Sequence, residues 1–176
     1  MKKIAAIIAA ACILQACSTS PKACFDIAAL NSNLLFGFAG PALHRQLAEP
    51  PEKLVDEKTY ATAPMTRMEL IHEKTTAIEK NFEKVKSLTM NTDNEAMIKA
   101  SLALYQFVLP VYKKEYRELA QLYDSGAAKE QLTQKENEVT EKYSAGFELL
   151  YQQLLTAAKA YAGRHDIPLQ EVNPVP

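Results

Sequence analysis

Residues 98–126 read IKASLALYQFVLPVYKKEYRELAQLYDSG, and their large apolar side chains recur at alternating spacings of four and three positions. This pattern predicts a helix of about eight turns with one apolar stripe. The stripe consists of Ile98, Leu102, Tyr105, Leu109, Tyr112, Tyr116, Leu119 and Tyr123. Thr92 and Glu95 have the spacing of a capping box at its start, and Gly126 favours its end. Because the stripe continues on both sides of Pro110, we expect a kink there without a break.

Two further amphipathic helices flank this one in the sequence. The earlier helix is indicated from Thr66 onward by apolar residues at helical spacing, with Thr62 and Pro64 as possible start signals. The later helix is expected from near Ala127 to Gly163, and its roughly 36 residues would extend about 54 Å. Long helices joined by short connections are antiparallel neighbours.

The preceding segment, Phe25 to Ala48, is apolar but is interrupted by glycines, which favour two short helical pieces. Its most apolar part, residues 34–40 (LLFGFAG), is expected to be buried against the long helices, with membrane contact as the alternative. Residues 49–63 are interpreted as a loop. The predicted fold is all-α: an up-down bundle of three long antiparallel helices with an N-terminal broken helix packed alongside. This domain would span residues 25–167, followed by a loose tail at 168–176.

The first residues have the organisation of an export signal. Lys2 and Lys3 precede an apolar run, residues 4–14, that is too short to span a bilayer. The run ends in Leu14-Gln15-Ala16-Cys17, which resembles the lipobox of bacterial lipoprotein precursors. This resemblance implies a signal peptide at 1–16, cleavage after Ala16, and acyl chains such as palmitate on Cys17. A tether would then occupy residues 17–24, and the neutral Ser18 resembles the signal for the outer membrane.

The charge balance of the mature chain limits the classes of partner that we expect. Without Lys2 and Lys3, the 20 basic residues fall to 18 against 21 acidic ones, so residues 17–176 carry a net charge of −3. No nucleic-acid partner is expected from this balance. Mixed charges between Lys113 and Glu118 predict a solvated helix face. Cys24 remains as a thiol, for which burial is expected and pairing between chains is the alternative.

Motifs for catalysis or cofactors are weak. Glu69 and His72 form one Glu-x-x-His pair, the unit that di-iron bundles use twice. We interpret this single pair as a helix surface, and a metalloenzyme stays the third hypothesis. Position 76 is Thr, so the zinc-protease motif is missing, and the sequence has neither a nucleophile elbow nor a phosphate-binding glycine loop. We therefore predict no enzyme activity, no cofactor and no metal.

The tyrosines of the central helix allow two interpretations. Tyr105, Tyr112 and Tyr116, with Phe38, either pack in the core or form a face for a ligand or partner. The function predicted first is a noncatalytic interaction or structural module, tethered to the envelope by its lipid and contacting an envelope protein. The alternative is a binding protein for a hydrophobic or glycan ligand, which would need a cavity above roughly 300 Å³ lined by Tyr105, Tyr112 and Phe38.

Overall fold

The computed structural model describes residues 19–169, which form a mostly helical fold with one small sheet. Cys17, the signal peptide and residues 170–176 of the predicted tail lie outside the described residues. The elements in chain order are α1 (Pro21–Ala28), a 3₁₀ helix (Leu30–Leu35), α2 (Pro41–Ala48), β1 (Glu52–Asp56), β2 (Ala61–Pro64), α3 (Arg67–Lys86), α4 (Glu95–Val111), a π-helical segment (Tyr112–Tyr116), α5 (Arg117–Asp124) and α6 (Lys129–Arg164).

The central helical run remains continuous past Pro110, as predicted. Pro110 lies in the last turn of α4, and the chain then widens into the π segment before α5 begins. Proline has no N–H to donate, and a wider turn lets the helix continue beyond the missing hydrogen bond. The long third helix is also confirmed, because α6 contains 36 residues.

The helix starts differ from the predictions. The expected capping box of Thr92 and Glu95 is wrong, because Asn94 precedes α4 and the Asn91 side chain accepts the N–H groups of Asp93 and Asn94. Such a local Asx turn competes with helix capping for the same backbone donors. A complete capping box occurs instead at α3, where Thr66 and Glu69 satisfy each other's backbone N–H groups.

Residues 49–63 contain a β-hairpin where the sequence predicted a loop, so the fold is not entirely helical. β1 pairs with β2 in antiparallel register, with Leu54 opposite Thr62 and an irregularity before Asp56. The Asp56 carboxylate accepts the N–H groups of Lys58 and Thr59, which closes the turn. Both strands are exposed, so the hairpin lacks the alternation of buried and exposed side chains that identifies a strand in sequence.

The N-terminal segment covers the long helices. Helix α1 begins at Pro21, where the Ser20 hydroxyl accepts the N–H of Ala23, so residues 21–24 are helical and do not belong to a tether. Helix α1 packs against α3, α4 and α6, while α2 packs against α5. Cys24 is buried, which confirms the expectation of a small buried side chain.

Residues 34–40 are largely buried, as predicted. Leu35, Phe38 and Ala39 are in the core, whereas Phe36 is 84% exposed. Gly37 has φ +83°, a left-handed conformation that reverses the chain between Phe36 and Phe38. The turn therefore directs one phenylalanine outward and the next one inward.

Polar contacts connect neighbouring long helices at both of their ends. At one end, the Asp124 carboxylate accepts the N–H groups of Arg67 and Met68, next to the hairpin. At the other end, Asp93 pairs with Arg164 and His165. Between residues 19 and 169, no helix is both long enough and apolar enough to cross a membrane.

Candidate functional site

The four aromatic residues predicted as a possible binding face are in the core. Tyr105, Tyr112, Tyr116 and Phe38 are each at most 4% exposed. The Phe38 ring lies 5.8 Å from the rings of both Tyr112 and Tyr116, measured between centroids. The interpretation as a face for a partner is therefore wrong, because Phe38 of the N-terminal segment packs on Tyr112 and Tyr116, and Phe82 of α3 packs on Tyr105. The core-packing alternative is confirmed.

The hydroxyl groups of these tyrosines have different surroundings. The Tyr116 hydroxyl accepts the Ala39 N–H at 2.7 Å, which connects the central helix to the N-terminal segment. The buried Tyr105 hydroxyl has no hydrogen-bond partner among the described residues. Burial raises the pKa of both tyrosines well above the usual value. Both hydroxyls are therefore neutral at physiological pH, and their burial suits packing more than proton transfer.

A cleft opens between α3 and the π segment, away from Tyr105 and Phe38. Its volume is about 470 Å³. We call it the α3–π cleft. It has a floor of Met68, Ile71, Thr75 and Tyr112 and a rim of His72, Lys113 and Arg117. The cavity predicted between Tyr105, Tyr112 and Phe38 is thus not the one found, although Tyr112 contributes to this cleft.

The rim of the α3–π cleft is cationic. Lys113 is paired with Glu79 at 2.6 Å between Nζ and Oε1. Arg117 has no carboxylate within 4.0 Å in the part of the chain that the structure describes. The Thr75 hydroxyl donates to the Ile71 carbonyl at 2.7 Å, so its hydrogen is already used within α3. The cleft therefore places the exposed Arg117 guanidinium beside Ile71 and Tyr112, whose side chains are almost fully buried.

The β-hairpin exposes a second apolar surface. Leu54, Val55 and Tyr60 are 52%, 57% and 78% exposed, and we call these three residues the hairpin face. Among residues 19–169, no third strand pairs with the outer edge of β1 or β2. Lys53 lies 3.6 Å from Glu69, next to the capping box of α3, in an exposed ion pair between the hairpin and the helix. Unpaired edges and exposed apolar side chains are typical of surfaces that bind another chain.

The Glu-x-x-His pair has a structural explanation. The Glu69 carboxylate accepts the Thr66 N–H, and this hydrogen bond is the main reason that its pKa is lowered. His72 lies at the rim of the α3–π cleft. Within the described range, no three His, Cys, Asp or Glu side chains converge as a metal site would require. Glu69 therefore caps a helix.

One charged cluster was missed by sequence reasoning. Glu115 belongs to the charge run predicted to be solvated, yet it is only 8% exposed. It accepts hydrogen bonds from Lys135 at 2.6 Å and from Tyr143 at 3.1 Å, both on α6. The hydrogen bond from Lys135 is the main cause of the lowered Glu115 pKa. The sequence provided only a weak indication that Glu115 is buried. It lies three residues after Tyr112, and at this helical spacing it is near the buried side of the helix.

Comparison with known proteins gives no functional assignment for this chain. No family model matches the chain, and neither the curated proteins nor the solved structures contain a match to it.

Proposed function

We propose that this protein is a noncatalytic lipoprotein of the bacterial envelope that presents its β-hairpin to a protein partner. The lipobox-like residues Leu14 to Cys17 support the anchor, and Ser18 supports the outer membrane as its location. The observation that carries the proposal is the exposed hairpin face at the end of the helices opposite the N-terminal anchor. The following contacts support that separation.

The order of contacts supports an up-down arrangement of the three long helices. Along α3 and the central helix, contacts occur between Arg67 and Asp124, Glu79 and Lys113, and Phe82 and Tyr105. Along the central helix and α6, they occur between Asp93 and Arg164, Phe107 and Tyr143, and Glu115 and Lys135. In both sets, residue numbers rise on one helix as they fall on the other, as antiparallel neighbours require.

In this proposal, the anchor lies at one end of the arrangement and the hairpin at the other. Cys24 in α1 lies beside Asn94, immediately before α4, with Asn94 Nδ2 3.8 Å from its sulfur. The hairpin leads directly into Thr66, which caps α3 next to Asp124 at the end of α5. The central run between these ends, Glu95 to Asp124, is about 45 Å long at 1.5 Å per residue. A four-residue step from Cys17 to Pro21 reaches only about 14 Å.

The composition of the hairpin suits a protein partner better than a bilayer. Its apolar residues are interspersed with Glu52, Lys53, Asp56, Glu57 and Lys58. Charged side chains of both signs would have to lose their hydration to enter a hydrocarbon layer. An isolated two-stranded sheet is also marginal in water and gains stability when a further strand pairs with its edge. An extended segment of an envelope protein is therefore the partner that we propose.

Site-specific photocrosslinking in intact cells tests this proposal. A photoreactive amino acid at Tyr60 should give one dominant crosslinked protein, whereas the same residue at Met90, exposed at the anchor end, should not. Replacing Leu54 and Val55 by Ser should abolish the Tyr60 crosslink while the protein stays folded. Equal crosslinking from both positions, or retention of the Tyr60 product in the serine variant, would contradict the proposal.

The anchor is tested separately. Cys17→Ala should eliminate incorporation of labelled palmitate and leave the signal peptide uncleaved, because the acylated thiol is what the lipobox supplies. Cys24→Ala is the matched control and should keep both the label and the processing. Labelling of the Cys17→Ala chain would refute the lipoprotein assignment without affecting the hairpin result.

A further inference from the structure

We infer that the N-terminal segment makes a direct contact with the lipid bilayer through the exposed side of its 3₁₀ helix. Leu30, Asn33 and Phe36 form that side, and we call them the 3₁₀ stripe. The occupant that we assign to the stripe is the surface of the membrane in which the protein is anchored. The inference rests on the anchor of the proposed function, but it does not involve the hairpin.

The spacing of the 3₁₀ helix brings these three side chains to one side. Residues three apart in such a helix eclipse one another, with a rise of about 2 Å per residue. The Phe36 N–H donates to the Asn33 carbonyl, so the pattern continues beyond the last residue of the helix. Leu30 and Phe36 are therefore separated by about 12 Å along the helix axis. The opposite side of the helix is buried and consists of Ser32, Leu35 and Phe38.

The two ends of the stripe are apolar, and its surroundings in the chain lack formal charge. Among residues 19–169, Phe36 has the largest exposed fraction of the exposed large apolar side chains, and Leu30 is half-exposed. Gly37 reverses the chain directly after Phe36, which therefore lies at the tip of a turn. Residues 27–44 contain no Asp, Glu, Lys or Arg. Unlike the hairpin, this segment can enter the edge of a bilayer without dehydrating a formal charge of its own.

The short connection to the anchor keeps the stripe near the bilayer. From Cys17 to Pro21 the chain reaches at most about 14 Å. Helix α1 has eight residues and adds about 12 Å before the stripe begins. The central run is about 45 Å long, so an anchored bundle can either stand on the bilayer or lie along it. Contact through Leu30 and Phe36 requires the second orientation, with the N-terminal segment toward the lipid.

Two apolar side chains suffice for this contact because the acyl chains already hold the protein at the membrane. Complete removal of a leucine or phenylalanine side chain from water contributes about 1.5–3 kcal/mol. Two such contributions would not recruit a protein from solution against the cost of association. Attachment to the bilayer makes the contact intramolecular, at a high effective concentration. The 3₁₀ stripe therefore orients the anchored protein and does not recruit it.

Tryptophan fluorescence in lipid vesicles tests this orientation. The chain contains no tryptophan, so a single introduced tryptophan reports only its own surroundings. The acylated protein is purified from cell membranes and placed in phosphatidylcholine vesicles with or without bromine on the acyl chains. Brominated lipid should lower the emission of Phe36→Trp at least about twofold, since interfacial apolar residues enter the acyl boundary by about 5–10 Å. The emission of Leu149→Trp should not change.

Leu149 is the matched control because it is an exposed apolar residue on another side of the molecule. It lies on α6, two residues after Phe147, whose ring centroid is 4.8 Å from that of Phe38. Two residues correspond to a rotation of about 200° around the helix. Leu149 therefore points away from the N-terminal segment.

A second pair of variants tests the stripe as a unit. Leu30→Trp should also be quenched by brominated lipid. Adding Phe36→Glu should abolish this quenching, because a carboxylate resists transfer into hydrocarbon. Adding Leu149→Glu instead should leave the quenching intact. Both glutamates replace exposed side chains, and circular dichroism verifies that the variants are folded.

Three results would overturn the inference. Unquenched Phe36→Trp in protein that remains bound to the vesicles would show that the stripe points away from the bilayer. Equal quenching of Phe36→Trp and Leu149→Trp would show that no side of the bundle is preferred. A blue shift of the Phe36→Trp emission in native membranes, but not in lipid vesicles, would assign the stripe to a protein partner.

Failure of the proposed function would be recognised by other measurements. A missing anchor would appear as a wild-type chain that incorporates no palmitate, before any vesicle is prepared. A failed hairpin contact would appear in the crosslinking at Tyr60, which is independent of the quenching of Phe36→Trp. An acylated, vesicle-bound protein without quenching would therefore refute the bilayer contact alone.

Discussion

Two neighbouring stretches of the sequence contain apolar residues but differ in their burial. They are the glycine-containing segment at residues 34–40 and the hairpin at residues 52–64. In the first segment, Leu35, Phe38 and Ala39 enter the core. In the second, Leu54, Val55 and Tyr60 remain in solvent. Apolar content alone therefore does not determine burial. Burial depends on whether the backbone places the segment against an uncovered face of the long helices. One segment contributes to the core, and the other remains exposed to solvent.

The largest effect is expected at Phe38. Phe38→Ala removes a ring that contacts the aromatic cluster of the central helix and should lower the free energy of unfolding by about 3–5 kcal/mol, as large core deletions do. Phe36→Ala, two residues away at an exposed position, should change it by less than about 0.5 kcal/mol. Urea denaturation measures both. Similar values for the two variants would show that the segment does not cover the core in the way described.

The next effect is expected at Gly37. Its φ of +83° disfavours any other residue, and a Cβ at this position would lie 3.0 Å from both the Ala42 Cβ and the Leu43 nitrogen, so neighbouring atoms would have to shift. Gly37→Ala should therefore cost roughly 1–3 kcal/mol from backbone strain, with the close contacts adding to it. Gly163→Ala in α6, where a Cβ meets nothing within 4 Å, should instead stabilise by about 0.5–1 kcal/mol. Thermal unfolding of both variants distinguishes a required glycine from a tolerated one.

A smaller effect is expected from the Tyr116 hydroxyl. Tyr116→Phe leaves the buried Ala39 N–H without its acceptor and should cost about 1–3 kcal/mol. Tyr105→Phe removes a buried hydroxyl that has no partner among the described residues, so it should be neutral or stabilising. The same chemical change would thus have opposite signs at two positions of one helix. Equal destabilisation by both variants would show that the bond to Ala39 does not hold the segment in place.

The smallest effect concerns pH. His44 in α2 is half-buried, and burial lowers its pKa below the usual 6.5, while the charge of Glu136 acts in the opposite direction. The unfolded chain therefore binds the proton more readily, so His44 contributes stability above about pH 6.5 that is lost as the pH falls through 6.5. His44→Gln should flatten the dependence of the melting temperature on pH between 7.5 and 5. If the pH dependence of the melting temperature in His44→Gln is the same as in the wild type, protonation of His44 does not destabilise the fold.

Much of the helical architecture was predictable, because long apolar stripes at helical spacing have few alternative conformations. The extents of α6 and of the continuous central run follow from the stripe that ends at Tyr123 and from the glycines Gly126 and Gly163. Which of two similar capping signals forms was not predictable. Thr66 caps α3, but the Glu95 N–H that Thr92 was expected to accept donates to the Asn91 carbonyl instead. Local hydrogen bonds of similar strength decide between these outcomes.

The candidate sites were the least predictable part. The sequence located an aromatic group but could not determine which side of the central helix the N-terminal segment covers, and this side determines whether Tyr112 and Tyr116 bind a partner or the chain itself. The hairpin was missed because an exposed strand has no buried face to produce a period of two. The α3–π cleft depends on the π segment, which apolar spacing does not reveal. These three features arise from contacts between elements and not from any one of them.

The route of the chain between the proposed anchor and the hairpin has a mechanical consequence. Residues 21–48 run from the end near Asp93 and Arg164 to the end near Arg67 and Asp124, packed against the long helices along the way. A force applied between an acylated Cys17 and a partner held at the hairpin would act along the helix axes. The contacts would then be loaded in shear, many at once, instead of being peeled apart in succession. A protein that joins a membrane to a second envelope component would resist tension best in this geometry.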